Sequence, residues 1–71
     1  MISYEKVLEN IKRLRSEGLN TENYWLYLKR DGSGVSASNE EQPTPNSIGY
    51  FVEDDSRLRG IYNLAKRRIG K

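Results

Sequence analysis

The chain predicts a small α+β domain: two helices packed on one face of a two- or three-stranded antiparallel sheet, in the order α-β-β-(β)-α. Apolar residues recur at helical spacing in two places only, from Tyr4 to Leu14 and from Leu58 to Ile69. Between them, aromatic and β-branched residues gather in two short runs, 24–28 and 48–52, bounded by Gly- and Pro-containing stretches. Each helix has one apolar stripe, and two such stripes are most simply buried side by side against one sheet face. With 71 residues, 35% of them apolar and 31% charged, the chain forms one domain over 1–71 with a compact core and an ionic surface. A homodimer or a bound partner would add buried area that a core of this size lacks.

The first helix opens at Ser3, whose hydroxyl suits an N-cap, and carries Tyr4, Val7, Leu8, Ile11 and Leu14 along one face. Gly18 follows as the stop, with Leu19 able to fold back on the last turn. Glu9 with Arg13, and Arg13 with Glu17, stand four residues apart as a solvated row of ion pairs. Tyr24-Trp25-Leu26-Tyr27-Leu28-Lys29-Arg30, followed by the turn Asp31-Gly32-Ser33-Gly34, favours a strand entering a hairpin that returns through Val35-Ser36-Ala37-Ser38. The competing reading of the same stretch is a short helix capped by Thr21 and ended at Gly32.

Residues 39–46, with two prolines, two acids and no large apolar side chain, read as a mobile loop tolerant of insertion. Ser47 to Val52 reads as the next strand, with Ile48, Tyr50 and Val52 on one face, Phe51 on the other, and Gly49 leaving a gap or a bulge. The closing helix takes Asp55 or Ser56 as its N-cap, turns Leu58, Ile61, Tyr62, Ala65 and Ile69 to the core, and can end at Gly70.

Composition argues against catalysis. The chain has no cysteine and no histidine, so it lacks the commonest general base, the commonest metal ligand and a thiol nucleophile. Glu40-Glu41 and Glu53-Asp54-Asp55 lack the alternating spacing of a calcium loop. Gly32-Ser33-Gly34 lacks the spacing and the lysine of a phosphate loop. No cofactor and no metal are expected. The polar start and the absence of a long apolar run predict a cytoplasmic protein that does not enter a membrane.

Charge is distributed unevenly. Residues 1–19 hold four basic and three acidic groups, residues 20–55 two and seven, and residues 56–71 six and none. Lys66, Arg67, Arg68 and Lys71 suit the C-terminal end of a helix dipole and need no partner to explain them. Arg57 and Arg59 oppose that dipole, and so either turn back to Glu53-Asp54-Asp55 or meet an external anion. At about 100° per residue, Arg59, Asn63, Lys66 and Arg67 share one flank, while Arg57, Leu64 and Arg68 lie on the other. Arg57, Arg59, Asn63, Lys66, Arg67 and Arg68 are therefore the candidate nucleic-acid contacts, with Asn63 placed to reach a base or sugar.

The aromatics supply a second candidate surface. If Tyr24, Leu26, Leu28, Tyr50 and Val52 face the helices, then Trp25, Tyr27 and Phe51 project from the opposite face, where so short a chain has no third layer to cover them. An exposed aromatic patch marks an interface, or a platform for stacking unpaired bases. The reversed register, with Trp25 as the core anchor, stays open.

The helix-strand-strand-strand-helix order and the length resemble the double-stranded-RNA-binding domain, with Ser56-Arg57-Leu58-Arg59 standing where that family has a lysine cluster at the start of its last helix. The hairpin loop departs from the family in having no histidine, and toxins built on the same order use a catalytic histidine that is absent here. The resemblance is one of fold, and function does not follow from it. The expected function is a non-catalytic regulatory, adaptor or inhibitor protein that docks on a protein partner through Trp25, Tyr27 and Phe51 and the basic last helix. The alternatives are a DNA- or RNA-binding module and, from size alone, a phage or mobile-element accessory protein that inhibits a host machine.

Overall fold

A computed structural model of the chain describes residues 1–20 and 22–69. The helix cap considered at Thr21, the stop at Gly70 and the basic Lys71 lie outside the described residues. The order is helix α1 (Tyr4–Ser16), strands β1 (Tyr24–Lys29), β2 (Val35–Ser38) and β3 (Ser47–Val52), a 3₁₀ turn over Asp55–Arg57, and helix α2 (Leu58–Ile69). The α+β class and the two-helix, three-strand order are as the sequence predicts.

Local chemistry sets the boundaries of α1. The Ser3 Oγ accepts the Lys6 N–H at 3.2 Å. At the other end the Gly18 N–H donates to Arg15 O at 3.1 Å and the Leu19 N–H to Leu14 O at 2.9 Å, the paired bonds of a glycine-terminated helix. Gly18 has φ +113°, a conformation that costs other residues strain. The outward charges pair differently from expectation. Arg13 does meet Glu17 at 3.5 Å, but Glu9 pairs with Lys6 at 3.5 Å, and Arg13 turns its second nitrogen to Asn10 Oδ1 at 2.9 Å.

Residues 24–29 form a strand, not the competing short helix. The hairpin beyond it is held by Asp31, whose Oδ1 accepts the Ser33 N–H at 2.9 Å and the Ser33 hydroxyl at 2.6 Å. Those two bonds hold the Asp31 carboxyl below the usual carboxylate range. The Ile2 N–H donates to Gly32 O at 2.8 Å, and the Tyr62 hydroxyl donates to Ile2 O at 2.8 Å, so the N-terminal segment is clamped between the hairpin turn and α2.

The strand order is β2-β1-β3. Strand β1 is central and antiparallel to both neighbours, pairing Leu26 with Ala37 on one side and with Tyr50 on the other. Strands β2 and β3 are therefore parallel to each other, and the chain between them must travel back along the sheet. Ser38 lies beside Trp25 and Ser47 beside Lys29, which sets a return of about 13 Å along the strands and a sideways step of about 10 Å. The eight residues 39–46 reach roughly 26–29 Å when extended, enough for that diagonal. The helices occupy the inner face, α1 against β2 and α2 against β3, so the connection takes the outer one.

The inner face is the core. Tyr24, Leu26, Leu28 and Val52 are fully buried beneath Val7 and Ile11 of α1 and Leu58, Tyr62 and Ala65 of α2. Trp25, Tyr27 and Phe51 point outward as predicted, which rejects the reversed register, but Tyr27 is not exposed. It keeps only 7% of its surface, because residues 39–46 cross over it and the Gln42 N–H donates to its hydroxyl. Gly49, its cross-strand partner, holds neither a bulge nor an empty gap. A Cβ there would fall 2.6 Å from Tyr27 Cε1, so the ring fills the space that the missing side chain leaves.

The crossing segment is also tied near its ends. The Asn39 amide donates to Asn20 O and Asn23 O at 3.2 and 3.1 Å. Arg30 donates from its backbone to Asn46 O at 2.8 Å and from Nε to Pro45 O at 3.0 Å.

Gly49→Ala should therefore destabilise the protein by about 1–3 kcal/mol through overpacking against Tyr27. Gly60→Ala, in open space on a helix, should stabilise it by about 0.5–1 kcal/mol. Urea unfolding of the two variants checks both signs.

Candidate functional site

The acidic triplet divides among three tasks. Asp54 caps the 3₁₀ turn, accepting the Ser56 N–H at 2.9 Å and the Ser56 hydroxyl. Hydrogen bonds from that hydroxyl and backbone hold the Asp54 carboxyl below its ordinary value, with the charge of Arg57 adding to the effect. The cap thus lies one or two residues before the Asp55 or Ser56 predicted from sequence, and Asp55 is released for a tertiary contact. Both of its oxygens accept from Arg15 Nη2 at 2.6 Å, and Oδ1 also accepts from the Tyr24 hydroxyl at 3.1 Å. Glu53 is exposed and lines a surface groove.

This arrangement decides where the two arginines of the first turn go. Neither forms an ion pair with the triplet among the described residues. Arg59 lies over the Tyr4 ring, 4.6 Å from its centroid, a cation–π contact worth about 0.5–1 kcal/mol at an exposed site. Tyr4 in turn meets Tyr62 edge-on at 5.2 Å. Arg57 is exposed and borders the groove.

The groove runs between the end of β3 and the outer flank of α2. Phe51, Ile61 and Leu64 give it apolar walls, Arg57 and Glu53 flank it, and Gly60 leaves it open in the middle. Phe51 and Leu64 each expose 47% of their surface. The Phe51 ring also packs against half-buried Trp25, with centroids 5.3 Å apart, so the apolar surface continues from the groove onto the outer sheet face. Of the three predicted aromatics, the structure brings Trp25 and Phe51 together and withdraws Tyr27 beneath the crossing segment.

The basic residues divide as well. Asn63, Lys66 and Arg67 border a shallow hollow beside Met1 on the other flank of α2. Arg59, predicted to join them, is engaged by Tyr4. Arg68 is exposed and lines neither depression. Sequence reasoning missed Ile61 and Leu64 as groove walls. The available signal was Leu64, an apolar residue off the core stripe and on the same flank as Arg57. Among the described residues no group of three or more His, Cys, Asp or Glu is placed to hold a metal ion, and no helix is long and apolar enough to cross a membrane. No protein-family model, curated protein or solved structure matches the chain.

Burial first, and then the Asp55 carboxylate, push the Tyr24 phenol well above its ordinary value. Above about pH 10 the unfolded chain gives up this proton while the folded one keeps it, so stability is intact below that pH and falls as pH rises further. Tyr24→Phe should cost about 1 kcal/mol at neutral pH, from the lost hydrogen bond. It should also show a shallower alkaline decline, as followed by urea midpoints between pH 8 and 11.

Proposed function

We propose that this is a small non-catalytic binding protein, of regulatory, adaptor or inhibitor type, that docks on a protein partner through Phe51, Trp25 and Leu64 with Arg57 beside them. The observation that carries the reading is the exposure of Phe51 and Leu64, 47% each, on two different elements that face one groove. A monomer gains nothing from leaving both side chains in water, and apolar surface rimmed by charge is what protein interfaces cover. Gly60 keeps the groove open where any larger residue would narrow it.

A nucleic-acid reading has one specific observation behind it, the convergence of Asn63, Lys66 and Arg67 beside Met1. Two cations there would contribute a salt slope of only about −2, and with Arg59 engaged by Tyr4 the stripe is shorter than the sequence implied.

Trp25 is the only tryptophan and touches Phe51, so its emission reports on the site directly. Docking on a purified partner should blue-shift that emission. Phe51→Ser combined with Leu64→Ser should abolish both the shift and co-purification, while the thermal midpoint changes by no more than a few degrees. Partner association unaffected by the double variant, or salt-dependent micromolar binding of duplex or single-stranded nucleic acid lost in Lys66→Ala/Arg67→Ala, would sink the protein-docking reading.

A further inference from the structure

We infer that the occupant of the groove is a second copy of this chain, paired antiparallel along the free edge of β3 so that two three-stranded sheets join into one. This rests on the protein-docking reading and names the partner. In the order β2-β1-β3, β3 pairs on one side only. Phe51 belongs to the outer sheet face, and Ile61 and Leu64 to a helix on the inner face, so a groove lined by all three opens at that unpaired edge. The register shows which amides are free. The Arg30 N–H donates to Asn46 O, and bonded and unbonded pairs alternate along an antiparallel ladder. The N–H groups of Ile48, Tyr50 and Val52 are therefore turned to β1, and those of Ser47, Gly49 and Phe51 to the free edge. Edge strands are ordinarily blunted by a lysine, a proline or a bulge, and Ser47–Val52 contains none of these and no charge at all.

Charge favours self-pairing because the two ends of this edge carry opposite signs. Glu53 and Asp54 follow Val52, and both are exposed. At the other end the Arg30 Nε donates to Pro45 O at 3.0 Å, which fixes a cation just before Ser47. The neighbouring Asp31 is turned onto Ser33. Neither Arg30 nor Glu53 forms an ion pair among the described residues. With Gly49 opposite Gly49 of the second copy, Phe51 faces Ser47, and Glu53 faces Pro45 beside the second copy's Arg30. The twofold axis makes each of these contacts twice.

The same axis lays the two α2 helices antiparallel to each other beneath the joined sheet. Helical periodicity puts Arg57, Gly60, Ile61, Leu64 and Arg68 on the flank turned toward it, apolar in the middle with a cation at each end. Each end of the contact then holds Glu53, Asp54 and Arg57 of one copy against Arg30 and Arg68 of the other. The remaining cations face elsewhere, Arg59 over Tyr4 and Lys66 and Arg67 beside Met1. Phe51 and Leu64 lose their exposure together with Ile61, which adds the buried apolar area that so small a core lacks.

Sedimentation over a concentration series should show a monomer–dimer equilibrium. As the dimer forms, amide exchange at Ser47, Gly49 and Phe51 should slow by about tenfold or more, and that at Ile48, Tyr50 and Val52 should change less. Arg30→Glu and Glu53→Arg should each weaken self-association by about tenfold or more. An equimolar mixture of the two should restore it, because each Glu53–Arg30 contact of the mixed dimer again joins opposite charges. Should Arg30→Glu fail to fold, Arg68→Glu takes its place.

A mixture of folded variants that stays monomeric overturns the pairing. So does a dimer indifferent to both charge reversals, with no slowing at Ser47, Gly49 and Phe51. A monomer at every concentration, while Phe51→Ser/Leu64→Ser still abolishes association with a different protein, overturns the second copy and leaves docking standing. Protection of those three amides that requires a different protein assigns the edge to that protein, and overturns the inference in the same way. Self-association and partner association that both survive the double variant defeat the docking reading itself.

Discussion

The central position of β1 in the sheet dictates most of the architecture. Its two neighbours each run antiparallel to it, so they run parallel to each other, and a parallel pair cannot be joined by a tight turn. The inner face is occupied by α1 and α2, whose apolar stripes need it. The link over residues 39–46 therefore crosses the outer face, and in crossing it serves as a partial third layer that a chain of this length would otherwise not possess. Tyr27 is the side chain it covers, Gly49 is the vacancy that lets the Tyr27 ring lie flat, and the Trp25–Phe51 end of the face is what it leaves bare. The same strand order puts β3 at an edge.

A second constraint fixes the far corner. Asp55 gathers Arg15 from the end of α1 and Tyr24 from the start of β1, so three separate elements meet at one carboxylate. Arg15 suits that place twice over, since a cation in the last turn also complements the dipole of α1. With Asp55 engaged by Arg15 and Asp54 spent on the 3₁₀ turn, Arg57 forms no ion pair with the triplet among the described residues and shares the groove rim with Glu53. The exposed cation beside the groove is thus a result of how the corner is built.

The fold was legible because its signals are local. Ser3 and Gly18 bracket α1, Asp31 to Gly34 form the hairpin, and the stripe from Leu58 to Ile69 has a single helical period. What was not legible is non-local. Nothing in the run Asn39 to Asn46 says on which face it will cross, so Tyr27 looked as free as Trp25. The path is decided by strand order, and strand order leaves no mark in the alternation of one strand. Arg59 was misplaced for a related reason, since its partner Tyr4 lies 55 positions away and a cation–π contact has no sequence signature. Arg57 was identified as unexplained by the dipole, and its exposure at the groove is the part of the site that could be seen in advance.

The clamp on the N-terminal segment has a consequence for how the molecule can be attached to anything else. A Cβ on Gly32 would lie within 3.0 Å of Met1 Cα and 3.5 Å of Ile69 Cγ2, so both limits of the described chain converge on the hairpin turn. That turn lies at the Lys29 end of β1, whereas Phe51, Glu53 and Arg57 cluster at the Tyr24 end. Any polypeptide continuing from either limit would leave from one pole, like a stalk beneath a bulb. The groove at the other pole keeps an unobstructed approach, whether the domain acts alone or is carried by something larger.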